Sequence, residues 1–492
     1  MADNSMILEH LLIATDPELA DTINANWWAS QEQIRGARVA KYRRYVTGDH
    51  DQVITDEMRD LLRMNQKGDG LNDYNDNYTR RIVDSMAGRI AVDQISTGTE
   101  GGDEWLKDLM DRSNFEALEG ATYRASVRDG DAYLMVDTQH MRLTAEPAYN
   151  GHDGVCVIYG ETDVVWACKL WSVSGQGVVS LGDADYDGTE KIIAKVYQPE
   201  RITTWEARSG GTPTQVGEED NWSAVGKVPV IPFVNQRDNY SSYGESEVRP
   251  ALPLQDIINR LIHSMTSCIE YAGFPIRYAF GMKLTKMDAR AGSFINVPVT
   301  DGGKQVTDLT EGQKAFMDSL QIGMLDGADM SQYVGVLDKL VSELSQSTQT
   351  PMYDKVGSAI SGETLKQLEV GLVNKCERFQ RENTDAWRKA VEIAHEVQSV
   401  YATPEPTPPA IDRIAVSWQS AQIRETNNDI AALVSMYKNA PNLFPDKWFR
   451  QKIGALLGLD VMEIQNIEEI VAETQADLFA TLTGGDGSAP RF

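Results

Sequence analysis

Between Met330 and Gln398 the chain sets out a short amphipathic segment, a loop of small polar residues and a very long amphipathic segment. Met330, Tyr333, Val334, Leu337, Leu340, Val341 and Leu344 recur every three or four residues, the spacing that gathers apolar side chains on one face of a helix. In SQSTQTPMYDKVGSAISG, residues 345 to 362, Pro351 removes a backbone donor while Gly357 and Gly362 admit angles that other residues avoid. The first helix must stop there. Ser361 is placed to cap a second helix carrying Leu365, Leu368, Leu372, Cys376, Phe379, Ala386, Ala390, Ile393 and Val397 on one side. That helix runs about 36 residues, or roughly 54 Å, a length few globular helices reach. Taken alone, the pattern also fits a helical hairpin in an ordinary core.

With 492 residues, 41% hydrophobic and 24% charged, the chain has a globular, soluble composition and room for about two to four domains. Its first residues, MADNSMILEHLLIATDPELAD, lack a basic region followed by an apolar block, and no apolar run approaches bilayer length. A cytoplasmic product without a membrane role is expected. Cys156, Cys168, Cys268 and Cys376 lie far apart in sequence and in no ligand-like spacing, so buried thiols are expected and neither zinc nor a disulfide framework. The formal charge of −27, from 46 basic and 73 acidic residues, argues against a protein that wraps nucleic acid by neutralising phosphates. It permits a wall that repels a duplex at every register, and it also serves plain solubility.

Residues 17 to 65 read as helical, and NYTRRIVDSMAGRIAVD, residues 77 to 93, as an amphipathic helix. EWLKDLMDRSNFEALEGATYRASVRDGDAYLMVD switches to strand composition at Ala132 to Val136. VCVIYG, VVWACKLWSV, KIIAKVYQP and RITTWEA follow as β-branched or aromatic runs between turns, and KVPVIPFVNQRDN closes a region expected to be a meander or small sandwich. Leu254, Ile257, Ile258, Leu261, Ile262, Met265, Cys268 and Ala272 form an apolar helical stripe that Gly273 and Pro275 end. Residues 274–324 then carry six basic against five acidic residues, unlike the acidic whole, with PIRYAFGM and SFINVPV as strands. Helices on either side make this a helix-insert-helix arrangement. YATPEPTPPA is a spacer, IDRIAVSWQ a strand returning to the earlier β-region, residues 421 to 480 a helical cap, and TGGDGSAPRF a tail.

Chemical motifs are weak. Asp183, Asp185, Asp187 and Gly188 begin like a calcium loop, but its twelfth position is Ala194 where a bidentate Glu is needed, so an acidic hairpin turn explains them. Glu468 and Glu469 point to different sides of a helix, and His263 and His395 have no second ligand or nucleophile at helical spacing. With no glycine-rich phosphate loop, H-E-x-x-H or nucleophile elbow, no metal, cofactor or catalytic residue is expected. Any ATPase must be a separate partner.

YRRYVTGDH, NYTRRIVDSMAGRI, RDGDAYLMVD, PVIPFVNQRDN with YGESEV after it, and SAISGETLKQLE occur in an order that resembles the portal proteins of tailed bacteriophages, in particular the family typified by the portal of phage SPP1. The resemblance spans nearly the whole chain. It implies an α+β portal fold. An α/β wing occupies 1–246, stem helices 247–273 and 326–347, a small α/β clip 274–325 and a tunnel loop 348–361. A spine helix with the wing's return strand follows at 362–420, a helical crown at 421–480 and a flexible tail at 481–492.

The resemblance further implies a homo-oligomeric ring, usually of twelve subunits, at one capsid vertex in the virion, assembled in the host cytoplasm with capsid and scaffolding protein. A terminase motor drives double-stranded DNA through it without sequence specificity, and head-tail connectors dock later. Twelve helices at ~10 Å spacing give a circle of ~120 Å and a bore of ~28 Å, enough for a duplex. Thr348, Gln349, Thr350, Lys355 and Ser358 are then expected to face DNA, a merely solvated turn being the alternative. Lys339 either projects into the bore or pairs with Asp338 or Glu343 on its own helix. Leu261, Met265, Leu337 and Leu344 are expected to pack the stem. The competing classes are an acidic hydrolase whose dispersed carboxylates meet only on folding, and another virion component such as a baseplate protein.

Overall fold

The computed structural model describes residues 4–51, 76–173, 191–280, 330–352 and 362–422, except 139, 162, 209–210, 220–221, 239–240, 274–276 and 402–406, together with short pieces at 300–301, 304–305, 311, 321–324, 433–436 and 453. The expected calcium-like turn at 183–188 and most of the expected crown lie outside the described residues. The chain divides into two compact units, Met1–Gln419 and Ser420–Phe492. The second is described only at its start and in brief helical pieces.

Three helices open the first unit: α1 (Ser5–Thr15), α2 (Pro17–Ile23) and α3 (Ala25–Thr47). Asp16 starts α2 by accepting from Leu19 N at 3.0 Å with Pro17 at the first helical position, where its missing N–H is harmless. Asn24, at φ 58°, ends α2 in the left-handed region and begins α3. Ile7, Leu8, Leu11 and Trp28 cover Cys156, Trp166, Ile192 and Val196 of a five-stranded antiparallel meander. Its strands are β4 (Gly154–Tyr159), β5 (Val164–Val173), β6 (Lys191–Tyr197), β7 (Ile202–Arg208) and β8 (Thr214–Glu218). The meander expected from the turn-separated runs is therefore present, with β8 added. Cys156 and Cys168, distant in sequence, are register partners across β4 and β5; both are free thiols whose pKa burial pushes upward.

Helix α4 spans Tyr78–Ala87, shorter than the periodicity of 77–93 predicts. Gly88 follows it, and Val92–Ser96 is strand β1, which pairs antiparallel with β14 (Ala415–Trp418). The return strand thus reaches this N-terminal element, not the meander. Helices α5 (Glu100–Ser113) and α6 (Phe115–Asp129) lead to β2 (Asp131–Asp137), the centre of a sheet ordered β3-β2-β9 with β3 (Arg142–Pro147) and β9 (Val230–Val234). Every residue of β2 up to Val136 is buried, as befits a strand covered on both faces.

Two helices follow, α7 (Leu252–Gly273) and α8 (Met330–Thr348), and they pack together. Between them the backbone pairs β10 (Arg277–Phe280) with β13 (Gln321–Met324), and β11 (Thr300–Asp301) with β12 (Lys304–Gln305), all antiparallel. Helix α9 (Gly362–Val400), 39 residues long, then crosses the first unit. Asn383 on α9 takes the N–H of Val234 at 2.9 Å and donates to its carbonyl at 3.0 Å, completing the backbone bonding of β9. Trp387 Nε1 donates to Tyr123 OH at 2.8 Å, Trp418 Nε1 to Thr384 Oγ1 at 2.9 Å and Trp105 Nε1 to Gln398 at 2.7 Å. One long helix therefore holds α5, α6, β9 and β14.

The root of α7 carries a buried polar chain. Gln255 accepts from Tyr78 N at 3.0 Å and donates to Asn259 Oδ1 at 3.0 Å. Asn259 Nδ2 must then be the donor to His50 Nδ1 at 2.8 Å, which leaves His50 Nε2–H to donate to Tyr45 O at 3.0 Å. A proton on Nδ1 would set two donors face to face. Burial also lowers the His50 pKa below its ordinary 6.5. A depressed folded-state value means that His50 contributes stability fully present above 6.5 and lost as pH falls through the lower value. The stability advantage of wild type over His50→Gln, measured by urea unfolding, should therefore shrink steadily between about pH 7.5 and 5; a constant difference would show that the histidine titrates alike in both states.

Candidate functional site

The junction between α8 and α9 is built from the end of α8 outward. Gln349, at φ 50°, takes the left-handed position more often given to glycine. Its N–H reaches Gln346 O at 3.2 Å while Thr350 N–H reaches Ser345 O at 3.1 Å, the paired bonds of a Schellman ending. Ser345 Oγ adds a bond to Thr350 O at 2.7 Å. The last helical carbonyl, Thr348 O, accepts from Lys375 Nζ of α9 at 2.7 Å, placing an ammonium at the negative end of the α8 dipole. Gly371 lets the helices meet there, since a Cβ on it would lie 3.1 Å from Gln349 Cβ.

Lys375 also pairs with Glu247, in the segment that leads from β9 into α7. The lysine is 6% exposed and the glutamate 2%. Glu247 Oε1 further accepts from Asn235 Nδ2 at 3.2 Å and from Gln236 Nε2. A single buried ion pair thus joins the sheet, the root of α7, the end of α8 and the body of α9. Arg89, just after α4, holds Glu369 of α9 through two bonds of 2.9 and 3.2 Å. Nothing in the spacing of charges singles out Lys375 or Glu369, but Lys375 falls between Leu372, Cys376 and Phe379 on an otherwise buried helix arc, which is the signal that could have found it.

The other expected site residues separate. Thr348 and Thr350 are buried, their hydroxyls bonded to Leu344 O at 2.7 Å and Thr348 O at 3.2 Å, so both are engaged inside the chain. Gln349 is exposed; Lys355 and Ser358 lie outside the described residues. Lys339 is exposed, 4.0 Å from Glu343 one turn on, the pairing weighed against a bore-facing role. Leu344 and Leu337 enter a core cluster with Ile82, Ile258, Val341 and Met352. Leu261 and Met265 stand outside it, partly exposed, because α7 turns Leu254, Ile258 and Ile262 toward α8.

Residues 30–477 match the family described as phage portal protein, SPP1 Gp6-like. The chain belongs to that family. It is 22% identical over 421 residues to the portal protein of Mycobacterium phage D29, covering 84% of this chain and 82% of that one. With the portal protein of Mycobacterium phage L5 it shares 23% over 428 residues at the same coverage. Among solved structures, a chain from the neck of a native GTA particle aligns at a TM-score of 0.39 and 13% identity, covering 82% of this chain and 93% of that one, a likeness too distant to place any element.

A phage portal protein is a structural component of the virion. In the N-terminal half of this portal chain, burial pushes the Asp131 carboxyl up to about 6 against the pull of Arg35. Arg35 reaches Asp131 at 3.5 Å and Glu32 at 2.9 Å, stacks 4.2 Å from the Tyr243 ring centre, and Gly244 N donates to Asp131 at 2.9 Å. The adjoining cavity of about 60 Å³ has no room for a substrate beyond a few waters. Among the described residues no helix is long and apolar enough to cross a membrane.

Replacing Lys375 with Met strips the portal chain's Glu247 of its cation inside the protein. The variant should lose about 3–5 kcal/mol of stability in urea unfolding, and Lys375→Met combined with Glu247→Gln should regain part of it. Equal stability of wild type and Lys375→Met would show the pair to be solvated.

Proposed function

We propose that copies of this portal protein close into a ring, of twelve subunits by resemblance to its family, through which duplex DNA passes during packaging and ejection. The ring would sit at one capsid vertex, dock the terminase motor during packaging and the head-tail connectors afterwards, and work without sequence specificity. Within each copy, α7 and α8 are the proposed stem, residues 274–325 the clip, α9 the spine and residues 421–480 the crown. The observation that carries this reading is the anchoring of the α8–α9 junction: Met352 is buried against Ile82 and Leu344, and Lys375 and Gly371 hold the turn to α9. Of the loop expected at 348–361, residues 353–361, with Lys355 and Ser358, follow this anchored end in sequence and are the proposed tunnel loop.

The charge balance supports passage without capture. A duplex carries about one negative charge per 1.7 Å, so a wall of an acidic protein offers few favourable resting positions, and isolated cations such as Lys355 give only local, non-specific contact.

Particles of the purified protein should appear in micrographs as rings with an axial hole and a mass many times that of the 54.6 kDa chain. Deleting residues 353–361 should leave those rings intact while lowering packaged or retained DNA at least tenfold. Normal packaging by the deletion variant would remove the loop from the proposal, and a monomeric wild-type protein would remove the ring.

A further inference from the structure

Helix α7 has two apolar rows. Leu254, Ile258 and Ile262 meet Leu337, Leu340, Val341 and Leu344 in the core cluster. Ile257, Leu261 and Met265, also four residues apart, form a second row about 100° around the helix. None of the three belongs to that cluster; Ile257 is 49% exposed and the other two partly so. Such an i, i+4, i+8 row is the ridge that helices use when they interdigitate with a neighbour. Beside it stands Arg260, exposed and in no ion pair among the described residues.

Helix α8 leaves a different face open. Val336 is 51% exposed, and Glu343, seven residues on, lies on the same side with only the distant Lys339 at 4.0 Å for company. One hairpin therefore presents an apolar ridge with a cation at its edge and, separately, an apolar position with an anion at its edge.

We propose that these are the two halves of one contact: the Ile257, Leu261 and Met265 ridge of one copy seats against the Val336 flank of the next copy's α8, with Arg260 facing Glu343. The occupant is a second copy of this chain, because the complementary charge and the complementary apolar surface are both carried on the same hairpin. The two faces are not identical, so the contact is heterologous and repeats from copy to copy until it closes. This assignment rests on the ring proposed above and names the surface that forms it.

The test uses the full chain. Arg260→Glu and Glu343→Arg, each alone, should lower the ring fraction in light scattering and micrographs at least tenfold, and the two together should return it to near the wild-type yield. Circular dichroism matching wild type shows that a low yield reflects assembly and not misfolding. As a second measurement, Met265→Cys with Val336→Cys in a Cys268→Ser background should give, on oxidation of preformed rings, a ladder of covalent multimers, because with Arg260 facing Glu343 on antiparallel helices Met265 comes opposite Val336. Single variants that close rings normally, a double reversal without recovery, or rings that yield no cross-linked ladder would each overturn this interface while leaving the ring itself standing. Wild-type protein that forms no rings would instead overturn the reading beneath it.

Discussion

The Lys375–Glu247 pair is the interaction on which the arrangement of the helices depends. Removing two charges from water costs several kcal/mol per ion, and a well-packed apolar pair of similar volume is often as stable. What an apolar pair lacks is direction. Lys375 spends one donor on Thr348 O and another on Glu247, while Glu247 accepts from Asn235 and Gln236, so each member has more than one partner in a different segment. Sliding α8 along α9 by a single turn would take Thr348 O away from Lys375, and sliding α9 past the segment between β9 and α7 would leave both charges buried and unmatched. The pair therefore favours one register among several that apolar packing alone would tolerate.

That register matters because α9 is also the structural axis of the rest of the unit. Asn383, Trp387 and Gln398 bond to β9, α6 and α5 at intervals along its length, and Lys227, in the approach to β9, reaches both Glu392 and Glu396 at 2.8 Å. A displacement at Gly371, where the α8 turn touches α9, cannot be absorbed by bending a helix held at so many points. It must pass into α8 and, through their shared apolar cluster, into α7.

Much of this was legible in the sequence. The 3.6-residue period located α8 and α9 to within a few residues, because both carry one clean apolar stripe and end at Gly, Pro or polar clusters. Strands β4 to β7 followed from β-branched runs between turns. The end of α4 was missed since Ile90 and Val92 continue the helical period although the chain has already turned at Gly88 into β1. The small polar residues Thr348 to Thr350 read as solvated loop, yet a Schellman ending uses polar side chains to satisfy carbonyls, and composition does not separate the two. Leu261 was given to the stem core for a related reason: α7 is apolar over more than one face, and periodicity names the rows without saying which one the chain keeps for itself.

The breadth of that apolar surface is itself informative. The apolar residues of α7 spread over an arc of about 140°, and α8 covers only part of that arc. Opposing association is a net charge of −27 on every copy, which at low ionic strength pushes like chains apart before any short-range contact is made. Unscreened repulsion of this kind disfavours random aggregation of an exposed ridge, but it acts on all orientations alike. A local Arg260–Glu343 match acts on one orientation only, so the two effects together select a specific side-by-side contact from the many that burial of a ridge alone would reward.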